Sequence, residues 1–332
     1  MCADLALPPQ THTTTGAERH VGVEIELGNL SLDHLTDLVS QHLTALGYPV
    51  HTEHQGRYEH DIHGDEAGSW RVEFDFRYLK ALGREEHQEE WQKSAEKGLA
   101  WIAEAVVPVE IVTPPLPLSR LSDVESLIVQ LRAAGARGSS DSLAYAFGLQ
   151  LNPEVMAQDA PTILRYIQAF LCGYEWLLQR VAPDISRRIS SYIAPFPKKY
   201  MDKVLHPDYA PDLETLMDDY LTDNPTRNRA LDMLPLFRHL DPQRVVAAIP
   251  DDLIKARPTF HYRLPSCEIH QPDWGLFSVW NDWVAIERLA ESGSTLIHCI
   301  EGYQQQQKRL PDLSHEWQNW MVQNMMPQFV EL

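Results

Sequence analysis

The sequence predicts an α+β fold in which strands with one polar face are separated by amphipathic helices. The segment Arg19–Leu27, R-H-V-G-V-E-I-E-L, alternates strictly between apolar and polar residues, as a strand buried on one side does. Its polar side carries Glu24 and Glu26, two carboxylates about 7 Å apart along the strand. Later strands repeat this alternation, and apolar residues at helical spacing lie between them. The chain therefore predicts several strands that each have one buried and one polar face.

The other elements follow in chain order. After the first strand, Ser31 is placed to cap a helix that ends at Gly47. Arg57–His63 and Ser69–Tyr78 predict a hairpin around a turn that contains glycine and aspartate. The two prolines after Thr113 end another strand, because proline cannot donate to the ladder. Further strands are predicted over Pro108–Leu116, Leu143–Asn152 and Pro258–Pro265, and further helices over Glu85–Val106, Ser119–Ala136, Pro161–Val181, 276–308 and 314–326.

The chain is predicted to form one domain over residues 18–332, because no internal repeat and no low-complexity linker divides it. A mostly helical insertion is expected at about 155–250. Within it, residues 183–250 contain helices and loops punctuated by proline and show no strand pattern. Residues 1–17 contain two adjacent prolines and four threonines, which predict a flexible N-terminal arm.

Composition excludes several classes of function. With 28 Lys and Arg residues against 47 Asp and Glu residues, the net charge is −19. Such an acidic surface repels phosphate backbones, so nucleic acid is not expected as a partner. No apolar run reaches about 18 residues, so no segment is expected to span a membrane. The four cysteines are far apart and the N-terminus lacks a signal-peptide pattern, which predicts a reduced, cytoplasmic protein.

The polar faces of the predicted strands carry side chains suited to binding metal and phosphate. If the strands pair in one antiparallel sheet, these faces line a single surface, where neighbouring carboxylates repel unless a cation neutralises them. Oxygen ligands at this density fit Mg²⁺ or Mn²⁺, and arginines bind phosphoryl or carboxylate oxygens. A solvated sheet face is the alternative. The side chains are Glu24, Glu26, Arg71, Glu73, Asp75, Glu110, Gln150, Asn152, His261 and Arg263.

Four of these segments resemble the amidoligase family. They read G-V-E-I-E-L, V-E-I-V-T-P-P-L, F-G-L-Q-L-N-P and F-H-Y-R, and the similarity covers roughly residues 18–152 and 257–270. The family is a branch of the carboxylate–amine ligases, which include glutamine synthetase and glutamate–cysteine ligase. The resemblance implies a curved antiparallel sheet with helices on its convex side, as in the catalytic domain of glutamine synthetase. It also implies ATP-dependent amide-bond formation through an acyl phosphate, with ATP and Mg²⁺ on the carboxylate-bearing face.

By position, the resemblance assigns roles to individual residues of this chain. The two glutamates of the first strand match paired metal ligands, and Glu110 matches a further ligand before the T-P-P turn. Glu73 or Asp75 falls near the acidic position of the hairpin strand. Arg263 matches an arginine that contacts the transferring phosphoryl group. The residue chemistry and the resemblance together predict Glu24, Glu26, Glu73, Glu110, Gln150 and His261 for the metal, Arg71, Asp75, Asn152 and Arg263 for the nucleotide, and Arg263 and Glu26 for catalysis.

Two departures from the family pattern bear on the metal site. Gln150 stands where the family has the histidine of a G-x-H motif, and His261 stands where it has the glutamate of an E-x-R strand. We predict that both side chains contribute to the same metal ion, with the imidazole supplied from the opposite strand. The carboxamide of Gln150 offers only a neutral oxygen, so this metal site is expected to be weaker than the family's.

Two other functions are compatible with these departures. One is a non-catalytic protein of the same fold that binds nucleotide or metal, and the other is a metal-dependent phosphoester hydrolase. For a ligase, the expected substrates are a small-molecule or peptide carboxylate and an amine. Arg257 is a candidate to grip a substrate carboxylate, although a surface salt bridge is the preferred interpretation.

Histidines near the predicted hairpin raise the question of a zinc site. They are His51, His54, His60 and His63. No cysteine accompanies them, and His60 and His63 do not have the spacing of a recognised ligand pair. A polar hairpin is therefore the preferred interpretation of this stretch.

Overall fold

One antiparallel sheet forms the centre of the protein. A computed structural model describes residues 4–56, 58–74, 108–141, 147–181, 193–307 and 314–330. Within these residues the sheet has nine strands. They are β1 (His20–Leu27), β2 (His51–His54), β3 (Glu59–His63), β4 (Trp70–Phe74), β5 (Val109–Val112), β6 (Leu116–Pro117), β7 (Leu149–Pro153), β8 (Leu231–Asp232) and β9 (His261–Tyr262).

The order of the strands places β1 in the middle of this sheet. Across the sheet the order is β2-β3-β4-β5-β1-β7-β9-β8, and β6 pairs with β1 outside this path. Neighbouring strands are antiparallel, and β2 and β8 lie at the two edges, so the sheet is not closed. The predicted α+β class with an antiparallel sheet is confirmed, whereas its curvature stays a prediction.

The longest helices pack together on the core. The helices α3 (Ala160–Val181) and α8 (Leu276–Glu291) contact each other, and their buried residues join those of the sheet in one hydrophobic core. None of the helices in the described part of the chain is long and apolar enough to cross a membrane. The helices are α1 (Leu32–Ala45), α2 (Leu121–Ala133), α3 (Ala160–Val181), α4 (Lys198–Val204), α5 (Leu213–Asp223), α6 (Leu234–Leu240), α7 (Pro242–Ala248), α8 (Leu276–Glu291), α9 (Ser294–Gln307), α10 (Ser314–Trp320) and α11 (Pro327–Val330).

The alternation of β1 decides which of its residues face the core. Val21, Val23, Ile25 and Leu27 are at most 1% exposed. Burying an aliphatic side chain of this size contributes about 1.5–3 kcal/mol, so this face fixes the orientation of the strand. A slip of one residue would move the whole apolar set to the other face. The glutamates between these residues are therefore held on the polar face of the sheet.

Local signals set the ends of α1 as the sequence predicts. The hydroxyl of Ser31 accepts a hydrogen bond from the backbone N–H of His34 at 3.3 Å, which caps the helix. Gly47 then adopts a φ of 95°, the left-handed conformation that commonly follows a helix end. Leu35, Val39 and Leu43, at helical spacing, are fully buried.

The predicted hairpin is present as β3 and β4, which pair with Ile62 opposite Trp70. Its turn needs a glycine at Gly64, where φ is 106° and a Cβ atom would lie 2.3 Å from the backbone oxygen of Pro49. In the described part of the chain β3 begins at Glu59 and β4 begins at Trp70, and Arg57 lies outside that part. The stretch from Asp75 to Tyr78 and the predicted helix Glu85–Val106 lie outside the described residues.

One expectation about the helical region is wrong. The stretch 183–250 showed no strand pattern, yet β8 lies within it and pairs with β9 at the edge of the sheet. A strand of two residues is too short for alternation to be recognised in sequence. The predicted strand Leu143–Asn152 is present as β7 from Leu149, and residues 142–146 lie outside the described part.

Residues near the N-terminus contact α8. The backbone N–H of Ala6 donates to Asn281 at 2.9 Å, and the indole N–H of Trp280 donates to the backbone oxygen of Ala6 at 2.8 Å. The amide of Asn281 donates to the backbone oxygen of Asp4 at 2.7 Å. The flexibility of the arm over residues 1–17 stays a prediction, as does the division into domains.

Candidate functional site

A row of glutamates crosses the polar face at the centre of the sheet. Glu73 on β4 lies opposite Glu110 on β5, and Glu110 lies opposite Glu26 on β1. Adjacent strands are about 4.8 Å apart, so these carboxylates come from neighbouring positions in three strands. Glu59 on β3 extends the row, since it lies opposite Glu73. Like charges directly opposite one another destabilise a sheet, and a bound cation would relieve that repulsion.

Two donors from β7 and its flanking residue hold the carboxylate of Glu26. The backbone N–H of Gly148 donates to one oxygen at 2.7 Å, and the carboxamide of Gln150 donates to the other at 2.9 Å. Glu26 is buried, so these bonds replace water and orient the carboxylate. The G-L-Q-L-N segment thus supplies both a backbone and a side-chain donor.

Glu24 joins β1 to two other parts of the chain. One of its oxygens accepts hydrogen bonds from Asn152 at 3.0 Å and from the guanidinium of Arg257 at 2.8 Å. The other oxygen lies 3.9 Å from Nε2 of His261. Glu24 is buried, whereas the side chain of Arg257 is 37% exposed. The strand therefore presents one carboxylate with an arginine beside it.

Gln150 and His261 contact each other directly. Because the amide of Gln150 donates to Glu26, its oxygen accepts the 2.8 Å hydrogen bond from Nε2 of His261. The other nitrogen, Nδ1, then lies 3.7 Å from the carboxylate of Asp232. Burial and the charge of Arg263 lower the pKa of His261, although Asp232 and Glu24 act in the opposite direction. A neutral imidazole with a lone pair on Nδ1 is therefore favoured.

Two buried acceptors on this face lack a hydrogen-bond partner among the described residues. They are Oδ1 of Asn152 and Nδ1 of His261. Buried polar atoms are usually paired with protein or water, so these two atoms are available to a group bound on this face. Both belong to the residues that the sequence assigns to metal or nucleotide.

A cavity of about 420 Å³ opens beside these residues. Its volume falls in the range of small-molecule sites. Gly22 leaves room for the side chain of Asn152 at the cavity wall, because a Cβ atom at Gly22 would lie 3.3 Å from the Cβ of Asn152. The lining residues are His20, Gly22, Glu24, Val112, Thr113, Pro115, Asn152, Glu154, Ala256, Arg257, Pro258 and Thr259.

A smaller cavity of about 50 Å³ shares Glu24 and Arg257 with the large one. Cationic side chains dominate its lining, which differs from the glutamate row next to it. The guanidinium of Arg263 donates to the backbone oxygen of Arg227, which directs it into this region. Carboxylates and guanidinium groups thus lie next to each other, the combination that binds a metal together with an anion. The ionisable lining residues are Glu24, Arg227, Asp232, Lys255, Arg257, His261 and Arg263.

One predicted nucleotide-binding residue, Arg71, is not brought to these cavities, and another lies outside the described residues. The guanidinium of Arg71 bonds Asp61 at 2.9 Å and Glu59 at 3.0 Å, on the β3 side of the sheet. Arg71 does not line either cavity. Asp75 lies outside the described residues. The other predicted residues lie on the central and β7–β9 part of the polar face.

Sequence reasoning missed Asp232 and Glu154, which line the cavities. Asp232 was missed because its strand has two residues. Glu154 follows Asn152 at the alternation distance, and its carboxylate accepts from the backbone N–H of His20 at 3.0 Å, so the period of β7 was a usable signal. Arg257 forms an ion pair, as preferred from the sequence, but its partner is the buried Glu24 inside the cavity rather than a surface group.

One comparison identifies the family. The family model described as "Putative amidoligase enzyme" matches residues 17–285, which includes all nine strands. The chain belongs to the amidoligase family. No curated protein matches the chain. Membership confirms the resemblance carried by the E-x-E strand and the T-P-P turn, and it indicates an enzyme that forms amide bonds.

Proposed function

We propose that this amidoligase is an ATP- and Mg²⁺-dependent carboxylate–amine ligase. The observation that carries the proposal is the cross-strand row of Glu26, Glu110 and Glu73 beside a cavity bordered by Glu24 and Arg257. A sheet face with this density of carboxylates suits divalent cations. The adjacent guanidinium groups suit an anionic co-substrate such as a polyphosphate.

The residues present fit Mg²⁺ or Mn²⁺. Four glutamates, Glu24, Glu26, Glu73 and Glu110, offer oxygen atoms, which both ions prefer. Gln150 and His261 belong to the same proposal. With the proton of His261 moved to Nδ1, which faces Asp232, Nε2 and the oxygen of Gln150 would both be free to bind one ion, and these atoms are 2.8 Å apart, about the spacing of two neighbouring ligands. When bound, the metal would neutralise the charge of the polyphosphate and stabilise the transferring phosphoryl group.

The protein's own groups would position the reactants. Arg263 would bind the phosphoryl group and stabilise the charge that develops on it. Asn152 would donate to or accept from the nucleotide or substrate at the cavity wall, and Glu26 would be kept in place by Gly148 and Gln150. Holding the reactants in this way converts an encounter of several molecules into a reaction within one complex. A sheet curved like that of glutamine synthetase is part of this proposal.

The reaction needs no nucleophile from the protein. The substrate carboxylate attacks the γ-phosphorus of ATP, and ADP leaves, which yields an acyl phosphate. The amine then attacks the acyl carbon, phosphate leaves, and the amine loses a proton. A cavity of about 420 Å³ has room for a small carboxylic acid or the end of a peptide. A small-molecule or peptide carboxylate and an amine are therefore the proposed substrates.

Calorimetry of ATP binding tests the proposal. The wild-type protein should bind ATP in the presence of Mg²⁺, and the variant Glu24→Gln/Glu26→Gln should lose that binding. Glu53→Gln is the matched control, since Glu53 lies on the edge strand β2 with a side chain that is 60% exposed. Loss of ATP binding in the double variant, together with wild-type binding by the control, would justify screening acid and amine pairs for ADP release.

Absence of Mg²⁺-dependent ATP binding in folded wild-type protein would overturn the proposed nucleotide site. Binding without any ADP release across acid and amine pairs would favour the non-catalytic alternative. Release of phosphate from phosphoesters in the absence of an amine would favour the hydrolase.

A further inference from the structure

The edge hairpin formed by β2 and β3 has two faces with different neighbours. Glu59 and Asp61 lie on the polar face, where Glu59 extends the glutamate row. His60 lies between them in sequence and so points the other way, opposite the buried Val72 of β4. On that face His60 lies opposite His54 of β2. These two histidines are therefore separated from the proposed ligase site by the sheet itself.

Three potential ligands from three elements meet on this second face. Nδ1 of His54 lies 2.9 Å from Nε2 of His60. A carboxylate oxygen of Asp33, in the first turn of α1, lies 3.7 Å from the same nitrogen. One donor atom from each of these residues lies within 4.8 Å of the other two. The ring of His60 is buried, whereas His54 and Asp33 are exposed, so solvent reaches the cluster from one side.

A hydroxyl behind His60 sets which of its nitrogens is available. The hydroxyl of Thr36 donates to the backbone oxygen of Leu32 at 2.8 Å, so its oxygen accepts from Nδ1–H of His60 at 2.9 Å. In the neutral imidazole, the lone pair is then on Nε2 and points towards His54 and Asp33. Metal-binding histidines are commonly oriented by such a hydrogen bond on the other nitrogen.

We propose that Asp33, His54 and His60 form a zinc site on the helix-facing side of the edge hairpin, with water as the fourth ligand. Ligands of a tetrahedral zinc ion are about 3.3 Å apart, and the two measured separations, 2.9 and 3.7 Å, lie on either side of that value. His54 needs only to carry its proton on Nε2 for Nδ1 to bind the metal. Two imidazoles and one carboxylate are a donor set that zinc prefers to the all-oxygen sets of Mg²⁺.

The ion would connect α1 to the edge of the sheet. His54 is the last residue of β2, which pairs with β3 alone among the described strands. A metal bound to His54, His60 and Asp33 would join β2, β3 and the start of α1 at one point, and it would stabilise the folded chain by binding it and not the unfolded one. The site does not depend on the proposed ligase activity, since it uses none of the glutamates of the polar face.

Zinc titration of the full-length protein, produced without a histidine tag, tests the site. Metal-free protein would be titrated with Zn²⁺ against a chromophoric chelator, with excess Mg²⁺ present to occupy the oxygen sites. We expect one Zn²⁺ per chain, a rise in Tm on binding, and the intense visible absorption of four-coordinate Co²⁺ when Co²⁺ replaces zinc. His54→Ala and Asp33→Asn, which change exposed residues, should each weaken binding at least about tenfold.

The other face of the same hairpin offers matched controls. His51 and His63 lie opposite each other on β2 and β3, with ring centroids 5.6 Å apart. His51→Ala and His63→Ala should therefore keep the wild-type zinc affinity and Co²⁺ spectrum. Absence of zinc binding by the wild type would overturn the proposal. Equal affinities of His54→Ala and wild type, or equal losses in His54→Ala and His51→Ala, would also overturn it.

Discussion

Two buried polar networks begin on the same strand and differ in how completely they are paired. Arg19, just before β1, forms two hydrogen bonds of 2.8 Å with Glu287 of α8, and it also donates to the backbone oxygens of Glu154 and Gln10. The network around Glu24, five residues later, includes buried atoms of Asn152 and His261 without a partner among the described residues. A buried glutamate beside an arginine is thus fully paired in the first network, whereas in the second network it has neighbours with atoms unpaired in the described part of the chain.

The paired network has the features of a structural element. Glu287 accepts further hydrogen bonds from the indole of Trp283 at 2.6 Å and from the hydroxyl of Tyr166 at 3.4 Å. Burial alone would lower the pKa of Arg19, but the charge and hydrogen bonds of Glu287 raise it above the ordinary value. The hydrogen-bonding groups of Arg19 and Glu287 are already paired with protein groups, so they are not available to a ligand. The difference teaches that burial of charge does not itself mark a binding site, whereas unfilled hydrogen-bonding capacity beside a cavity is available to a ligand.

The largest effect on stability is expected for Glu287→Gln. This change keeps the shape of the side chain and leaves the charge of Arg19 buried without a counterion. Breaking a buried ion pair costs about 3–5 kcal/mol, and urea denaturation followed by tryptophan fluorescence would measure the loss. Glu291→Gln is the control, because its partner Arg165 is 34% exposed and such pairs contribute at most about 1 kcal/mol. Equal losses in both variants would contradict the structural role of Arg19–Glu287.

A smaller loss, about 2 kcal/mol, is expected for Asp65→Asn. Both oxygens of Asp65 bond the guanidinium of Arg120, at 2.6 and 2.9 Å, and Trp70 donates at 2.8 Å. The effect is smaller than for Glu287 because Arg120 is partly exposed and keeps its bond to Asp123. This pair is a second saturated network, so it extends the comparison to the hairpin turn.

The contribution of Asp65 should depend on pH in one direction. Burial tends to raise the pKa of this carboxyl, but hydrogen bonds from Arg120, Trp70 and the backbone of Ala67 bring it below its ordinary value. Because the pKa of Asp65 is lower in the folded state, its interactions contribute fully to stability above the unfolded-state pKa of about 3.9. That contribution is lost as the pH falls from there through the lower folded-state pKa. Urea curves of wild type and Asp65→Asn should therefore converge towards pH 3. A difference that is constant from pH 7 to pH 3 would refute this assignment.

The sequence predicts which face of a strand a residue occupies better than it predicts which residues lie beside it on the next strand. Alternation placed Glu24, Glu26, Glu73 and Glu110 on polar faces, and the family motifs indicated their chemistry. The pairing of Glu26 with Glu110 and of Glu110 with Glu73 depends on strand register, which alternation alone does not specify. Register decides every cross-strand neighbour on these faces.

The same limit explains the features that sequence reasoning missed. His54 and His60 meet only because β2 and β3 pair in one register, so spacing along the chain gave no zinc signal. Asp232 lies in a strand too short to show a period, and Arg257 lies in a loop that turns back over β1. Long-range contacts bring these residues together, and a single sequence does not encode them in any local pattern.

A third substitution contrasts the site with the paired networks. Glu24→Gln keeps the oxygen that accepts from Asn152 and Arg257 and removes the charge. The change in unfolding free energy should stay below about 1 kcal/mol, because Arg257 is partly exposed to water. Mg²⁺ affinity should nevertheless fall about a hundredfold, since ligand charge tunes the affinity of oxygen sites. Calorimetry and urea denaturation of one preparation would measure both. A loss of stability as large as that of Glu287→Gln would show that Glu24 is structural.

The smallest effect is expected for His261→Ala. If the imidazole shares one ion with Gln150, its loss removes a neutral ligand while the carboxylates remain, and affinity for Mg²⁺ and Mn²⁺ should fall about tenfold. His20→Ala is the control, because His20 also lines the large cavity but pairs with Glu154 at 3.5 Å and lies away from the glutamate row. Unchanged affinity in His261→Ala would sink the shared site. The 2.8 Å contact between His261 and Gln150 would then be a hydrogen bond alone, with no metal ion between the two side chains.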